Sequence, residues 1–179
     1  MIIVKNKRSS IEKIKQEFPG CHIFDVTSKG EMKQLSPFYP HGGIPVPFSG
    51  SVTSASVEGV WQGLKVFEHE GIDWNCFRNT TMKNLKRTVR THGRCLGHQK
   101  GVGSHTLLDY ISARKLIYVP TYKWMLENKC KEVLEPLRKL NEQGETIVLL
   151  DYDVNGNIDD PRKPLSHASL IKAFLEGKL

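Results

Sequence analysis

The sequence predicts a single α+β domain over residues 1–179, mainly helical with a few short strands. Three observations predict it. Apolar residues recur at helical spacing behind candidate serine caps at Ser9 or Ser10, Ser54 or Ser56, and Ser166. Short apolar runs, CHIFDV, LIYV and TIVLL among them, sit between turn signals as strands do. The composition, 39% hydrophobic and 25% charged in 179 residues, supplies a core without metal or disulfide staples.

The elements follow in order. Met1 to Lys5 alternates weakly and is short enough for a first strand. A helix over Ile11 to Phe18 places Ile11, Ile14 and Phe18 on one side and stops at Pro19-Gly20. Residues 21–26 read as a second strand. Residues 36–50, SPFYPHGGIPVPFSG, hold four prolines and three glycines, which excludes helix, while Phe38, Tyr39 and Phe48 point to an ordered segment that packs over the core or walls a pocket. A helix is expected from Ser54 or Ser56 to about His69, before Gly71. Residues 83–90 suggest another helix or turn, ending at His92-Gly93. Ser104 to Lys115 reads as helix with Leu107, Leu108, Ile111 and, at its edge, Tyr110 inward. Leu116 to Val119 reads as a strand ended by Pro120. Thr121 is expected to cap a helix towards Leu140, with Pro136 as its break or kink. Thr146 to Leu150 is a strand, 151–161 a turn, and His167 to Leu175 a last helix ended by Gly177.

No stretch approaches the roughly 18 apolar residues of a membrane span. MIIVKNKRSS places its apolar run before its charges, the reverse of a secretory signal, so the expected location is the cytoplasm. Cys21, Cys76, Cys95 and Cys130 are far apart and form no CxxC, so reduced thiols are expected and no metal site. The net charge of +7 fits either a phosphate-bearing partner or a solubility feature. Lys83, Lys86, Arg87, Arg90 and Arg94 fall within twelve residues that contain no acid, an anion-facing patch or a solvated helix face.

The most informative segment is SVEGVWQGLKVF, residues 56–67. On a helical wheel Glu58, Gln62 and Lys65 fall within an arc of about 60°. Val60, Trp61, Leu64 and Phe67 border that arc, and Gly59 and Gly63 adjoin on one flank where another backbone could approach. The bland alternative is a solvated stripe, but such stripes are broader and richer in charge. Partly buried, these side chains need one another, and Glu58 with Lys65 across Gln62 suits a held and tuned carboxylate.

Two other motifs have plainer readings. Asp151-x-Asp153-x-Asn155-Gly156 begins like a calcium loop, yet its twelfth position is Arg162, which denies the bidentate ligand, so an Asn-Gly turn is expected. Asp151 at a strand end is a candidate second site carboxylate. GRCLGHQKGVGSH, 93–105, reads as a flexible loop, with a phosphate cradle using Arg94 or Lys100 as the alternative.

SPFYP at 36–40 followed by the 56–67 segment resembles the NADAR (YbiA-like) family of N-glycosidases and ADP-ribosyl hydrolases. Phe38, Tyr39, Pro40, Glu58, Gln62, Lys65 and Phe67 match its motifs, and GRCLG matches a later one at Arg94 and Gly97. The likeness covers roughly residues 35 to 125. Pro37 stands in place of an asparagine and Gly59 in place of a common histidine; the family's late tryptophan-glycine segment has no counterpart. The resemblance implies cleavage of the bond between ribose or ADP-ribose and a nucleobase or ribosylamino pyrimidine. It implies Glu58 as catalytic carboxylate, Lys65 as its partner, and Phe38, Tyr39, Trp61 and Gln62 at the substrate, with Arg94 and Lys100 for its phosphates. It requires no redox cofactor and no metal. The expected partner is a nucleotide-like or ADP-ribosylated substrate, including nucleic acid carrying the adduct, and not a membrane. Two rival functions remain at the level of sequence: a protein that captures a nucleotide or nucleotide signal without chemistry, and a nucleic-acid-binding module built on residues 83–100.

Overall fold

The computed structural model describes residues 1–179 and is α+β with small sheets. In chain order the elements are β1 (Ile2–Asn6), α1 (Ile11–Glu17), β2 (His22–Asp25), β3 (Ile44–Pro45), β4 (Thr53–Ser54), α2 (Val57–Gly63) and β5 (Lys65–Phe67). There follow α3 (Trp74–Arg78), α4 (Val89–His92), β6 (Cys95–Gln99), β7 (Leu107–Leu108), α5 (Tyr110–Ala113), a π-helical turn (Arg114–Tyr118), α6 (Val119–Lys129), α7 (Lys131–Glu142), β8 (Ile147–Asp151) and α8 (His167–Leu175). No helix is long and apolar enough to cross a membrane. The chain packs as two compact units, Met1–Ser36 with Leu126–Leu179, and Pro37–Met125.

The first unit is built on a three-stranded parallel sheet in the order β1-β8-β2. Its central strand, IVLLD, is buried at every residue, as a strand covered on both faces must be. Val148 and Leu150 point towards α1, where they cluster with Ile14, Ile3, Phe18, Cys21 and Ile23. Ile147 and Leu149 alternate to the opposite face. The helix starts follow the serines: Ser10 Oγ accepts from Lys13 N–H at 3.3 Å, and Ser166 Oγ from Ser169 N–H at 3.2 Å. Pro136 does not break its helix. The interruption falls at Cys130, and α7 runs through Pro136, holding Leu134 and Leu137 in the core. That packing outweighs the roughly 3 kcal/mol a mid-helix proline costs. The turn of this segment falls at 158–159, past the expected Asn155-Gly156, with Asp160 N–H donating to Asn157 C=O at 3.3 Å, while the Asn155 side-chain oxygen accepts from Asn157 N–H at 3.0 Å.

The second unit carries the proline-rich segment, a two-stranded sheet of β3 and β4, and an antiparallel sheet β5-β6-β7. Four expectations change here. The helix from Ser56 ends at Gly63, not near His69, because Leu64 C=O accepts from Gln99 N–H at 2.8 Å and residues 65–67 pair with β6. The Gly-rich run contains β6 in place of a loop. The helix expected from Ser104 starts only at Tyr110, where Asp109 Oδ1 accepts from Ile111 and Ser112 N–H, each at 2.9 Å. Leu116 to Val119 is helical, an apolar run too short for its period to separate strand from buried helix. Thr121 therefore lies inside a helix, its Oγ1 donating to Ile117 C=O at 2.6 Å.

Gly59 and Gly63 do admit a close neighbour, the short helix α3. A Cβ at Gly59 would stand 2.6 Å from Cys76 O and 2.6 Å from Ser54 Oγ, and one at Gly63 2.4 Å from the Phe77 ring. Gly59→Ala should therefore destabilise the protein by about 1–3 kcal/mol, since a backbone oxygen cannot step aside. The check is a lower urea midpoint at unchanged slope.

Candidate functional site

The second unit brings four of the sequence-predicted residues together. Ser56 Oγ accepts from Gly59 N–H at 2.9 Å and starts α2, so Glu58, Trp61 and Gln62 project from a helix whose every residue is buried. Glu58 N–H donates to Pro37 C=O at 2.8 Å, which pins the SPFYP segment to the first turn of that helix. The Glu58 carboxylate is 7% exposed and accepts from Gln62 Nε2 at 2.7 Å. Gln62 Oε1 in turn accepts from Arg87 N–H at 3.1 Å. Both ends of the amide are thus committed, and the amide orients the carboxylate.

Lys65 arrives from β5 and not from a further turn of α2. In the antiparallel ladder it sits directly opposite His98, so both side chains share one face of the sheet. The Lys65 ammonium lies 6.0 Å from the Trp61 ring centroid. Burial draws its pKa below the ordinary lysine value, and the attraction of Glu58 opposes that shift without cancelling it. The His98 ring packs against Trp61, tilted by 32° with centroids 3.8 Å apart. Burial, reinforced by the Lys65 charge, brings its pKa down to about 3, so the imidazole is neutral at any physiological pH. Tyr110 at 5.9 Å and Tyr118 at 5.4 Å complete a cage around Trp61. On a regular helix these tyrosines would stand about 80° apart. The π turn between them changes that rotation, and both reach the indole.

The other predicted residues have their own surroundings. Phe38 and Tyr39 are half-buried; Lys86 Nζ stands 5.9 Å from the Phe38 ring, and Tyr39 packs on His41 at 4.7 Å. Lys100 lies over Phe48 at 5.2 Å. Arg94 is a rim residue, its side chain 76% exposed and its Nε 3.2 Å from Glu68 Oε1. Asp151 belongs to the first unit and is no free base: Oδ1 accepts from Tyr152 N–H at 2.7 Å, and Oδ2 from Ser166 Oγ at 2.8 Å and Ala168 N–H at 3.3 Å. All four cysteines are free, and burial pushes the Cys76 and Cys130 thiols up to about 12, far from a reactive thiolate.

Sequence reasoning missed His98, Arg87, Tyr110 and Tyr118 as a set. His98 was hidden by its glycines, although CLGHQ could have been tested as a strand. Arg87 was grouped with a surface patch but turns inward: Nη1 donates to Lys65 C=O at 2.7 Å and Gln62 C=O at 3.2 Å, and Nη2 to Gly71 C=O at 2.7 Å. It ties the end of α2 to β5. A lysine cannot reproduce that fork, so Arg87→Lys should lower the unfolding free energy by about 1.5–3 kcal/mol, measured by urea titration.

Fold and site together define an α+β protein in which a buried carboxylate–amide pair shares a helix with an indole that packs against a half-buried ammonium and a buried neutral imidazole. The chain belongs to DUF6939, described as a family of unknown function, whose model matches residues 6–171. No curated protein and no solved structure matches it.

Proposed function

We propose that this protein is an N-glycosidase of the NADAR type, cleaving the bond between ribose, or ADP-ribose, and a nucleobase or ribosylamino pyrimidine. The observation that carries the proposal is Glu58, a residue buried to 7% exposure, oriented by Gln62 and felt electrostatically by the half-buried Lys65. Breaking a C1′–N bond develops positive charge on the ribose. A fixed carboxylate in a dry site stabilises that charge and can take a proton from the attacking water. The Lys65 ammonium, made more acidic by burial, is suited to protonate the departing nitrogen. The hydrogen bond from Glu58 N–H to Pro37 C=O, which joins the SPFYP segment to the first turn of α2, also supports this reading.

A second reading, capture of a nucleotide without turnover, is favoured by one observation. Asp151, the other candidate carboxylate, has its oxygens engaged by Tyr152, Ser166, His167 and Ala168 and is not free to serve as a base. The separating experiment incubates the wild type and Glu58→Gln with ADP-ribosylated DNA and with ribosylamino pyrimidine phosphate. Released base or sugar with the wild type alone supports the glycosidase. Stoichiometric binding with intact ligand recovered supports capture. A salt-dependent duplex affinity indifferent to Glu58 would replace both with nucleic-acid binding.

A further inference from the structure

His98 stands out among the buried groups because its environment does not explain it. The ring is 2% exposed, yet neither Nδ1 nor Nε2 meets a hydrogen-bond partner within the protein. A buried polar group left unpaired costs about 1–3 kcal/mol, and such a group in a folded protein calls for a reason. An apolar ring would fill the same place against Trp61 without that cost. The position is also specific. His98 is the cross-strand partner of Lys65 and shares its sheet face, and its ring lies 3.8 Å from the indole whose helix carries Glu58.

Resting on the reading of this site as one for ribosyl ligands, we propose that His98 is a ligand-recognising residue that takes a sugar hydroxyl. The choice of ligand group follows from the ring's chemistry. A neutral imidazole offers one N–H and one bare nitrogen. A hydroxyl can accept from the first or donate to the second, whereas a phosphate could only accept. Burial, reinforced by the neighbouring ammonium, keeps the ring uncharged, so its donor and acceptor character holds across the physiological range. The most exposed wall of the cage is Tyr110, at 40% exposure.

The test uses the full chain, with ribose 5-phosphate as probe and inorganic phosphate as control. It compares wild type, His98→Phe and His98→Gln by titration calorimetry, thermal unfolding and ¹⁵N spectra of the imidazoles. The free wild type should show one protonated and one bare His98 ring nitrogen, unchanged from pH 8 to pH 5 and shifted on adding ribose 5-phosphate. His98→Phe should bind ribose 5-phosphate about 10- to 100-fold more weakly, matching the hydrogen bonds lost, yet melt no lower than wild type without ligand. His98→Gln should recover most of the affinity. Phosphate binding should be the same in all three. Equal ribose 5-phosphate affinity in wild type and His98→Phe overturns the inference and leaves the glycosidase reading intact, and so does a parallel loss of phosphate affinity. A His98→Phe protein that melts well below wild type with its affinity retained assigns the ring a packing role and also overturns it. Failure of the wild type to bind ribose 5-phosphate or to act on either ribosylated substrate overturns the reading of the site and this inference with it.

Discussion

Asp151→Ala should destabilise the protein by about 3–5 kcal/mol, the scale expected when one partner of a buried ion pair is removed. Asp151 is 4% exposed and joins three pieces of the first unit. Its Oδ2 receives Ser166 Oγ, Ala168 N–H and, at 3.0 Å, His167 Nδ1, so it seals the start of α8 against the end of β8. His167 Nε2 meets Val26 C=O at 2.8 Å. Both ring nitrogens therefore face acceptors, and both must carry protons: the buried ring is an imidazolium. Burial works against each charge. For Asp151 the hydrogen bond and attraction of His167, with those from Ser166 and Ala168, outweigh it and leave the pKa below its ordinary 3.8. For His167 burial is likewise overcome, by Asp151, Val26 C=O and Asp25, and the pKa lies above its ordinary 6.5.

The signs then set the pH window. A raised histidine pKa contributes stability that is complete below 6.5 and disappears as pH rises through the folded value. A lowered aspartate pKa contributes stability that is complete above 3.8 and disappears as pH falls through the folded value. The pair should therefore hold best between these limits and weaken on both sides. Urea titrations from pH 3 to pH 9 should show that plateau in the wild type, and its alkaline fall should be absent from Asp151→Asn. A wild-type stability that climbs from pH 6.5 to pH 9 would refute the imidazolium.

The second large effect concerns the chemistry. Glu58→Gln should reduce turnover about 10²- to 10⁴-fold, the usual consequence of losing a charged group at the reacting centre. Its folding stability should change little. The amide oxygen can still accept from Gln62 Nε2, the Ser56 cap is untouched, and the backbone bond to Pro37 needs no side chain. Glu58→Asp should also lose activity, because the carboxylate withdraws by one methylene from the amide that aims it. Single-turnover assays on a ribosylated base, run beside melting curves, separate the two effects. Undiminished turnover in Glu58→Gln would remove Glu58 from any catalytic role.

Much of the first unit was legible because its signals are local. Ser10 and Ser166 cap the helices read from them, and IVLLD is the apolar run that a covered central strand needs. The start of α2 was equally legible at Ser56, and so were the two glycines on its flank. Pro136 misled because a propensity of about 3 kcal/mol yielded to the burial of Leu134 and Leu137. The calcium-like spacing after Asp151 proved to be turn chemistry, and Asp151 itself a junction of β8 and α8.

The residue order alone thus determined the α+β class, the caps at Ser10, Ser56 and Ser166, and the pairing of Glu58 with Gln62, because side chains four positions apart on a helix must meet. Only the tertiary structure decided how Lys65 joins that pair and that His98 faces it. The end of α2 depends on Gln99 donating to Leu64 C=O from 35 positions further along, and β5 exists only because β6 pairs with it. Such hydrogen bonds carry no local trace, since strand pairing is a property of two distant segments and not of either one.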